Sequence, residues 1–349
     1  MKNEKVIILA EEKFSPLSSK TANGAIIYLR DQVLAVIDST KKGKTAQQVL
    51  GYGGEIPVIE SVVEGLKFNP TALLIGIAPS GGRLPNSWRE MIKTSLENKL
   101  NIYSGLHTII GDDEEFSNLA KKNNCKIIDW RKIPEKYEVV TKGSYLTRHA
   151  KTILSIGSDC NIGKMTTTLQ IYKDFLNRKL NSDFIGTGQT GIMISGHGIA
   201  VDSIISDYIA GGIELCIDET ENKNTNYIFV EGQGSLTHHG YSGVTMGLIH
   251  GTMPDAMILC HQPTRFVDDY NLQLPDLKKI IDLHETVVKF FKKTKVVCIG
   301  LNSIGLTVDE SMRAAEKIEN ETGLPTIDAF RFGAEKLSNA LLNYFNNDF

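Results

Sequence analysis

The feature that most restricts the fold is a strand, a glycine-rich loop and a helix that follow one another near the middle of the chain. The apolar run 152–156 predicts a buried strand, residues 157–163 form the loop, and residues 164–176 have the pattern of a helix. Phosphate-binding loops occur in this order, because the amides of the turn and of the helix N-terminus converge on an anion. The segment therefore predicts a parallel α/β sheet with a phosphate site at its edge.

The loop reads Gly-Ser-Asp-Cys-Asn-Ile-Gly-Lys-Met-Thr from residue 157 to residue 166. Gly157 and Gly163 let the backbone approach phosphate oxygens closely, and Lys164 adds a positive charge. Five residues separate the two glycines, one more than in the usual loop, and Met165 stands where serine or threonine is usual. The threonines at 166–168 can still supply a hydroxyl group. These departures favour phosphate binding over ATP hydrolysis.

Strands alternate with helical patterns on both sides of a charged, aperiodic stretch at residues 132–150. In the first half the predicted strands are 33–37, 56–58, 72–78 and 100–103. In the second half they are 152–156, 227–230, 256–259 and 296–299. This alternation indicates parallel strands joined by crossover helices. The expected organisation is two α/β domains, over residues 1–140 and 141–349.

Charge and cysteine content narrow the classes of function. A net charge of -3 and a pI near 6.3 give no long-range attraction to nucleic acid or to an anionic membrane. No apolar run reaches the roughly 18 residues of a membrane span, and the apolar start, Val6–Ala10, is too short for a signal-peptide core. The five cysteines are odd in number and form no CxxC pair, which is typical of reduced thiols. A cytoplasmic protein with neither nucleic-acid nor membrane partners is expected.

Further polar residues follow predicted strands of the second half. Glu231 comes directly after one strand, where open α/β sheets bind ligands, and its carboxylate can hold Mg²⁺ or act as a base. Asp159 can point into the same space, so Asp159, Glu231 and Thr166 are the candidate ligands if Mg²⁺ is used. Asn302 follows another strand and can read a purine ring, and residues 184–191 are glycine-rich. A capping role for Glu231 and a turn role for Asn302 are the alternatives.

The second half resembles dethiobiotin synthetase and its relatives among the P-loop proteins. In that enzyme the first loop also has five residues between its glycines, and a Glu-Gly-Ala-Gly-Gly loop corresponds to Glu231–Ser235. Another of its loops ends like Thr190-Gly191, but the lysine that opens that loop corresponds to Gly186 here. The resemblance implies a P-loop NTPase-like parallel sheet in which the group that orients the substrate of that enzyme is missing.

A closer similarity covers nearly the entire chain. The strings that carry it are Ala35–Thr40, Gly43–Thr45, Ile75–Pro85, Ser104–Thr108, Gly157–Thr166, Gly188–Met193, Val230–Ser235 with His238, Tyr241–Thr245 and Cys260–Arg265. On these strings the chain is identified as a member of the DgcN-type D-glutamate N-acetyltransferase family, formerly a family of unknown function. The first half also resembles the CoA-binding Rossmann-type domain of succinyl-CoA synthetase. The resemblance implies a Rossmann-like N-terminal domain and acetyl transfer from acetyl-CoA to the amino group of D-glutamate.

Acetyl transfer to an amine requires a base, donors for the oxyanion and a cation for the substrate carboxylates. The candidates for catalysis are Glu231 first, His238 second, and His261. The candidates for substrate binding are Arg265, Arg83 and Ser235. The alternative for His238 is a place in a surface loop, and the alternative for Arg265 is a structural salt bridge. Cys160 lies at a helix N-terminus, where a thiol pKa falls, and we expect it to pack in the loop, with a nucleophilic role as the alternative.

CoA carries a diphosphate and a 3′-phosphate, so a phosphate loop can serve it without ATP chemistry. The residues expected to contact the cofactor are Gly157, Ser158, Asp159, Cys160, Asn161, Ile162, Gly163, Lys164, Met165, Thr166, Gln189, Thr190, Gly191 and Asn302. Binding of ATP or another nucleotide, and of Mg²⁺, stays open. The competing functions are an ATP-dependent ligase or kinase of the dethiobiotin synthetase kind and a nucleotide-sensing module. We expect the protein to form a homo-oligomer.

Overall fold

The computed structural model describes residue 1, residues 3–77 and residues 82–347. Part of the predicted strand 72–78 and of the loop after it, Ala78–Gly81, lies outside the described residues. The chain divides into two compact units. The first unit contains Met1–Ile133 and Gln189–Ser203, and the second contains Pro134–Gly188 and the chain from Ile204 onward.

The first unit is built around a six-stranded sheet with the order β3-β2-β1-β4-β5-β6. Its strands are β1 Val6–Leu9, β2 Val33–Ile37, β3 Val58–Ile59, β4 Ala72–Ile75, β5 Asn101–Ser104 and β6 Ile127–Asp129. Every pair in this sheet is parallel, and β1 lies between β2 and β4. All four side chains of β1 are fully buried, as expected for a strand that is covered on both faces. This strand order is that of a Rossmann-like domain.

Local sequence signals account for several helix starts in the first unit. The helices of its N-terminal part are α1 Lys20–Tyr28, α2 Ala46–Leu50, α3 Val62–Gly65, α4 Arg89–Glu97 and α5 Glu114–Asn123. The Ser61 hydroxyl accepts a hydrogen bond from the Glu64 amide, which is the cap predicted for α3. Asp113 accepts from the amides of Glu115 and Phe116 and caps α5 in the same way.

The second unit contains another parallel six-stranded sheet, with the order β12-β11-β10-β7-β9-β8. Its strands are β7 Lys151–Gly157, β8 Ser182–Ile185, β9 Tyr227–Val230, β10 Ala256–His261, β11 Lys295–Leu301 and β12 Thr326–Ile327. β7 lies between β10 and β9, so the loop after it leaves from the centre of the sheet. Because the strands are parallel, their carboxyl ends meet at one edge, which is where such sheets bind ligands.

The helices of the remaining chain are α6 Lys164–Asn177, α7 Gln189–Ser195, α8 Ile209–Thr220, α9 Ser242–Thr252, α10 Leu277–Val288, α11 Val308–Thr322, α12 Ala329–Phe332 and α13 Glu335–Asn347. α6 begins directly after Gly163 and buries one face that includes Thr168, Ile171 and Phe175. None of the helices in the described part of the chain combines the length and the apolar character that crossing a membrane requires.

α7 belongs to the first unit, whereas the predicted boundary at residue 141 places residues 189–203 in the C-terminal domain. Its side chains pack on α1, where the hydroxyls of Thr21 and Thr190 lie 3.1 Å apart. A Cβ atom on Gly24 would lie 2.7 Å from Thr190 Cγ2, so this glycine permits the close approach of the two helices. The chain thus leaves the second unit after β8 and returns to it before α8.

The predicted fold class, a Rossmann-like parallel sheet and a P-loop-type parallel sheet, is confirmed. The strand predicted at 227–230 agrees with β9 at both ends, and the helix predicted at 164–176 is one residue shorter than α6. These elements were predictable because their apolar runs are bounded by clear turn signals.

Candidate functional site

The predicted phosphate-binding loop connects β7 to α6 in the second unit. The Ser158 amide still donates to the carbonyl oxygen of Cys260 at 3.0 Å, so the start of the loop is fixed to β10. Asn161 and Gly163 have positive φ angles of 54° and 97°, a conformation that glycine and asparagine adopt most readily. These two residues turn the chain into α6, whose N-terminus follows the loop at the ligand-binding edge of the sheet.

Lys164, the first residue of α6, is folded back over the loop. It is only 6% exposed, and its Nζ donates to the backbone oxygen of Asp159 at 2.7 Å. A Cβ atom on Gly157 would lie 2.8 Å from this Nζ, and one on Gly232 would lie 3.2 Å from the Lys164 Cδ. The two glycines therefore leave room for the lysine, which holds a positive charge at the N-terminus of a helix, where anions are stabilised.

Four polar side chains meet between this loop and the segment after β10, and we call Asp159, His238, Arg265 and Asp269 the Arg265 cluster. The Arg265 Nε donates to Asp159 Oδ2, and its Nη2 donates to Asp269 Oδ1 at 2.7 Å. Burial alone would lower the pKa of Arg265, but the hydrogen bonds with Asp269 and Asp159 raise it. The Asp159 side chain is fully buried, whereas that of Asp269 is 53% exposed. The salt bridge left open for Arg265 is therefore present.

His238 lies beside this ion pair, buried and stacked on Tyr241 with 4.9 Å between ring centroids. The Gly240 amide donates to its Nδ1 at 3.1 Å. A backbone amide can only donate, so Nδ1 carries no proton and the neutral ring carries its proton on Nε2. Nε2 has no hydrogen-bond partner among the described residues and lies 3.9 Å from Asp159 Oδ1 and from Asp269 Oδ2. His238 thus presents a buried N–H donor, which does not suit a general base.

The same tautomer bears on metal binding. Asp159, Cys160 and His238 offer ligand atoms that lie within 4.8 Å of one another. A metal ion on Nε2 would need the lone pair of that nitrogen and a proton on Nδ1, which the Gly240 amide opposes. In addition, Asp159 Oδ1 accepts from the Cys160 amide at 2.7 Å, and its other oxygen accepts from Arg265. The three side chains are therefore poorly suited to act as metal ligands.

His261 ends β10 and contacts the loop through Ser158. The Ser158 Oγ lies 2.8 Å from His261 Nδ1. Burial lowers the pKa of His261 to about 4, so its ring is neutral at pH 7. A group with so low a pKa is a weak base, which argues against proton removal by His261.

The carboxylate of Glu231 connects the ends of β9 and β8. Its Oε2 accepts hydrogen bonds from the amides of Thr187 at 2.9 Å and Gly188 at 3.3 Å. The Gly232 amide donates to Ser155 Oγ at 2.9 Å and fixes the next residue to β7. These contacts match the capping role that stayed open for Glu231, and its role as a base stays a prediction.

The other predicted residues of the second unit lie in or against the loop. A Cβ atom on Gly163 would lie 3.3 Å from the Asn302 Cβ, so Asn302 packs on the turn. Ile162 and Met165 are buried, and Thr166 is half-buried. The hydroxyl of Ser235, also buried, lies 3.0 Å from that of Thr237.

Cys160 is a protonated thiol at neutral pH. Burial raises its pKa to about 11, and this effect outweighs the nearby positive charge of Lys164. Because the thiolate is the reactive form, these surroundings oppose the nucleophilic alternative.

Two groups of predicted residues lie in the first unit. Gln189 Oε1 accepts from Arg131 Nη2 at 2.9 Å, and Thr190 contacts Thr21. Gly191 follows in the same helix, α7. Arg83 is exposed. Their predicted contacts with a cofactor or substrate stay predictions.

Comparison with known families decides the identity of the chain at the family level. Residues 39–133 match the family described as "Domain of unknown function (DUF1611_N) Rossmann-like domain". Residues 139–338 match "Domain of unknown function (DUF1611_C) P-loop domain". The chain belongs to the DUF1611 family. The predicted family membership is thereby confirmed.

Relatives of this DUF1611 protein include two proteins named as enzymes and a solved structure. A D-glutamate N-acetyltransferase from Tritonibacter scottomollicae is 35% identical over 297 residues, 83% of this chain and 87% of the relative. An enzyme of the same name from a Pseudoalteromonas species is 33% identical over 280 residues, 79% of this chain and 83% of the relative. The crystal structure of a DUF1611 family protein from Anabaena variabilis matches with a TM-score of 0.92 at 34% identity, over 98% of this chain and all of that one.

Sequence reasoning missed two polar contacts of this DUF1611 chain. Asp269 was not among the candidates, and because the segment between β10 and α10 is not helical, the spacing of four residues from Arg265 gave no signal for the pair. In the first unit, the 8% exposed Arg131 pairs with Asp202, its Nη2 lying 2.6 Å from Asp202 Oδ2. These two residues are far apart in the sequence, so no local pattern could have paired them.

Proposed function

We propose that this protein transfers the acetyl group of acetyl-CoA to the amino group of D-glutamate. The observation that carries the proposal is the similarity to two D-glutamate N-acetyltransferases over about four fifths of the chain. The site geometry is compatible with this activity, since a loop suited to phosphates adjoins a cluster of charged side chains.

The loop from Gly157 to Lys164 is proposed to hold phosphate groups of acetyl-CoA. Support comes from the Lys164 ammonium group, which lies over the loop, and from the positive φ angles of Asn161 and Gly163, which turn the chain into the N-terminus of α6. Met165 replaces the hydroxyl residue that usually binds Mg²⁺ in ATP-hydrolysing loops, which favours a phosphate-binding role without hydrolysis.

The ammonium group of the substrate must lose a proton before it can attack the thioester. We assign this step to a carboxylate, because His238 already carries its proton on Nε2 and His261 is weakly basic. Glu231 is the carboxylate that the sequence indicates, and Asp269 is the one that the geometry adds.

The test is to mix the purified protein with acetyl-CoA and an amino acid and to measure the release of free thiol. We expect release with D-glutamate, little with L-glutamate, and none with glutarate, which has no amine. Release of ADP from ATP without thiol release would instead indicate a ligase or kinase. Binding of acetyl-CoA or nucleotide without turnover of any amino acid would indicate a sensing module.

The role in D-amino acid catabolism, the cytoplasmic location and the homo-oligomeric state belong to the same proposal. All five cysteines are free thiols, as a reducing compartment would favour. Light scattering on the purified protein would measure the number of chains in the assembly.

A further inference from the structure

We propose that the Arg265 cluster binds the head group of the amino-acid substrate. Arg265 and the Nε2–H of His238 take the α-carboxylate, and Asp269 takes the α-ammonium group. This inference rests on the proposed function and names the place at which its acceptor substrate binds.

The first argument is the unpaired donor of His238. Buried donors in native proteins almost always have an acceptor, so a buried N–H without one points to a ligand, a water molecule or a movement that supplies it. The tautomer set by Gly240 requires that the missing partner be an acceptor, such as a carboxylate oxygen. A substrate ammonium group or a metal cation would not satisfy this nitrogen.

The second argument is the arrangement of charge. A guanidinium group between two carboxylates presents one positive and two negative groups side by side. An amino-acid head group carries the complementary pair, a carboxylate and an ammonium group. Arginine binds carboxylates in a planar, two-pronged geometry, and a carboxylate is the natural partner of an ammonium group.

The third argument is the difference in burial between the two aspartates. Asp159 is fully buried and also accepts from the Cys160 amide, so it is held in place. The Asp269 side chain is 53% exposed and the Arg265 side chain 23%, so solvent reaches this side of the cluster. We infer that the substrate carboxylate displaces Asp269 from Arg265, and that the freed Asp269 then meets the ammonium group.

This exchange has a consequence for the reaction. Acetylation removes the positive charge of the amine, so the product loses the partner that Asp269 provided. The product is therefore expected to bind more weakly than the substrate.

The position of the cluster also restricts the acetyl donor. Asp159 belongs both to the cluster and to the phosphate loop, so the substrate site lies beside that loop. The flexible pantetheine arm of acetyl-CoA must therefore fold back toward the loop to deliver its acetyl group.

The experiment measures binding of D-glutamate, N-acetyl-D-glutamate and glutarate to the full-length protein by calorimetry, together with D-glutamate turnover. D269N should weaken D-glutamate binding at least about tenfold, because a charge-assisted contact is lost, and should leave glutarate binding unchanged or tighter, because the carboxylate no longer has to displace Asp269 from Arg265. D282N, which makes the same change of charge on the exposed face of α10, is the matched control and should change neither.

His238 is tested with a conservative pair of variants. H238A should weaken binding of D-glutamate and glutarate alike, since both carry the carboxylate. H238Q should recover most of that loss, because the glutamine amide can donate near the position of Nε2–H. Thermal melts of each variant show whether it is folded. Ligand binding is measured by calorimetry without acetyl-CoA, so it does not depend on turnover.

The possible results separate this inference from the proposed function. If the wild type acetylates D-glutamate while D269N behaves like D282N, the head-group site is wrong and the activity stands. If H238Q binds D-glutamate as weakly as H238A, the donor role of His238 is wrong. If, in addition, the turnover rate of the wild type rises with pH through the usual histidine pKa and both variants lose this rise, His238 is a base. If the wild type binds no amino acid, both are rejected.

Discussion

At the scale of single residues, the chemistry of the second unit depends on which partners each polar side chain has already engaged. Asp159 is fixed by the Cys160 amide and by Arg265, and Glu231 Oε2 is fixed by two backbone amides. Asp269, by contrast, is half exposed and has one oxygen on Arg265. The side chains that are free to change partners are therefore few.

Replacement of Lys164 by alanine should weaken acetyl-CoA binding by about tenfold to 100-fold, since hydrogen bonds to charged groups contribute roughly 1.5–3 kcal/mol. The KM for D-glutamate should change much less. Calorimetric titration with acetyl-CoA measures the effect, and K279A, at an exposed position of α10, is the control. Equal affinity of K164A and K279A would show that the lysine does not contact the cofactor.

For Glu231, the contacts lead us to expect a structural effect. E231Q replaces an acceptor of two amide hydrogen bonds by a neutral side chain and should lower the unfolding free energy by about 1–3 kcal/mol, or the Tm by several degrees. Calorimetric melting measures the Tm, and steady-state kinetics on the same sample measure kcat and KM. A native Tm with a large fall in kcat and an unchanged affinity would instead assign the base to Glu231.

At the scale of secondary structure, the site is formed where parallel strands end. Ser158, Glu231 and Asn302 follow β7, β9 and β11 directly, and His261 is the last residue of β10. The strands carry these residues to the same edge of one sheet, although more than 140 residues separate the first from the last. The close approach of neighbouring strand ends requires small residues there.

Gly232 is the clearest case of this requirement. A Cβ atom at this position would lie 1.7 Å from the backbone oxygen of Ser155, so G232A must displace backbone at the end of β9 or β7. We expect a loss of about 3 kcal/mol in unfolding free energy, measured by urea denaturation. G243A, in α9 with nothing within 4 Å of its Cβ position, should be neutral or slightly stabilising. Similar stability of the two variants would contradict the packing argument.

At the scale of the whole molecule, each unit has its own six-stranded parallel sheet, and the chain visits the first unit twice. Two buried histidines of the second unit link its stability to pH. Burial lowers the pKa of His261 and that of His284 to about 4 each, against about 6.5 in an unfolded chain. The folded protein therefore binds fewer protons than the unfolded chain between these values.

This difference predicts that the unfolding free energy decreases as the pH falls from about 6.5 to about 4, by at most about 3 kcal/mol for each histidine. About one pH unit or more above 6.5, both histidines are almost entirely neutral in both states and contribute almost no slope. Urea denaturation at pH 7.5 and at pH 5 measures the change, and H284L should reduce it because one titrating group is gone. An equal decrease in H284L and in the wild type would contradict this account.

The sequence by itself determined the parallel α/β class, the strands and helices around the phosphate loop, and the family. These properties follow from local patterns: a buried parallel strand is a continuous apolar run, a cap such as Ser61 precedes its helix, and Gly163 marks a forced turn. Such signals act over a few residues, so they can be read before the chain is folded.

Only the tertiary structure decided where α7 packs and what state the polar side chains have. The sequence indicates only a glycine-rich stretch at residues 184–191, whereas the structure has the helix α7 there, packed on α1, more than 150 residues away. Likewise, the tautomer of His238 depends on Gly240, and the pKa values of Cys160 and His261 depend on burial. Solvent exclusion and hydrogen-bond partners are products of packing, and residue order alone does not specify them.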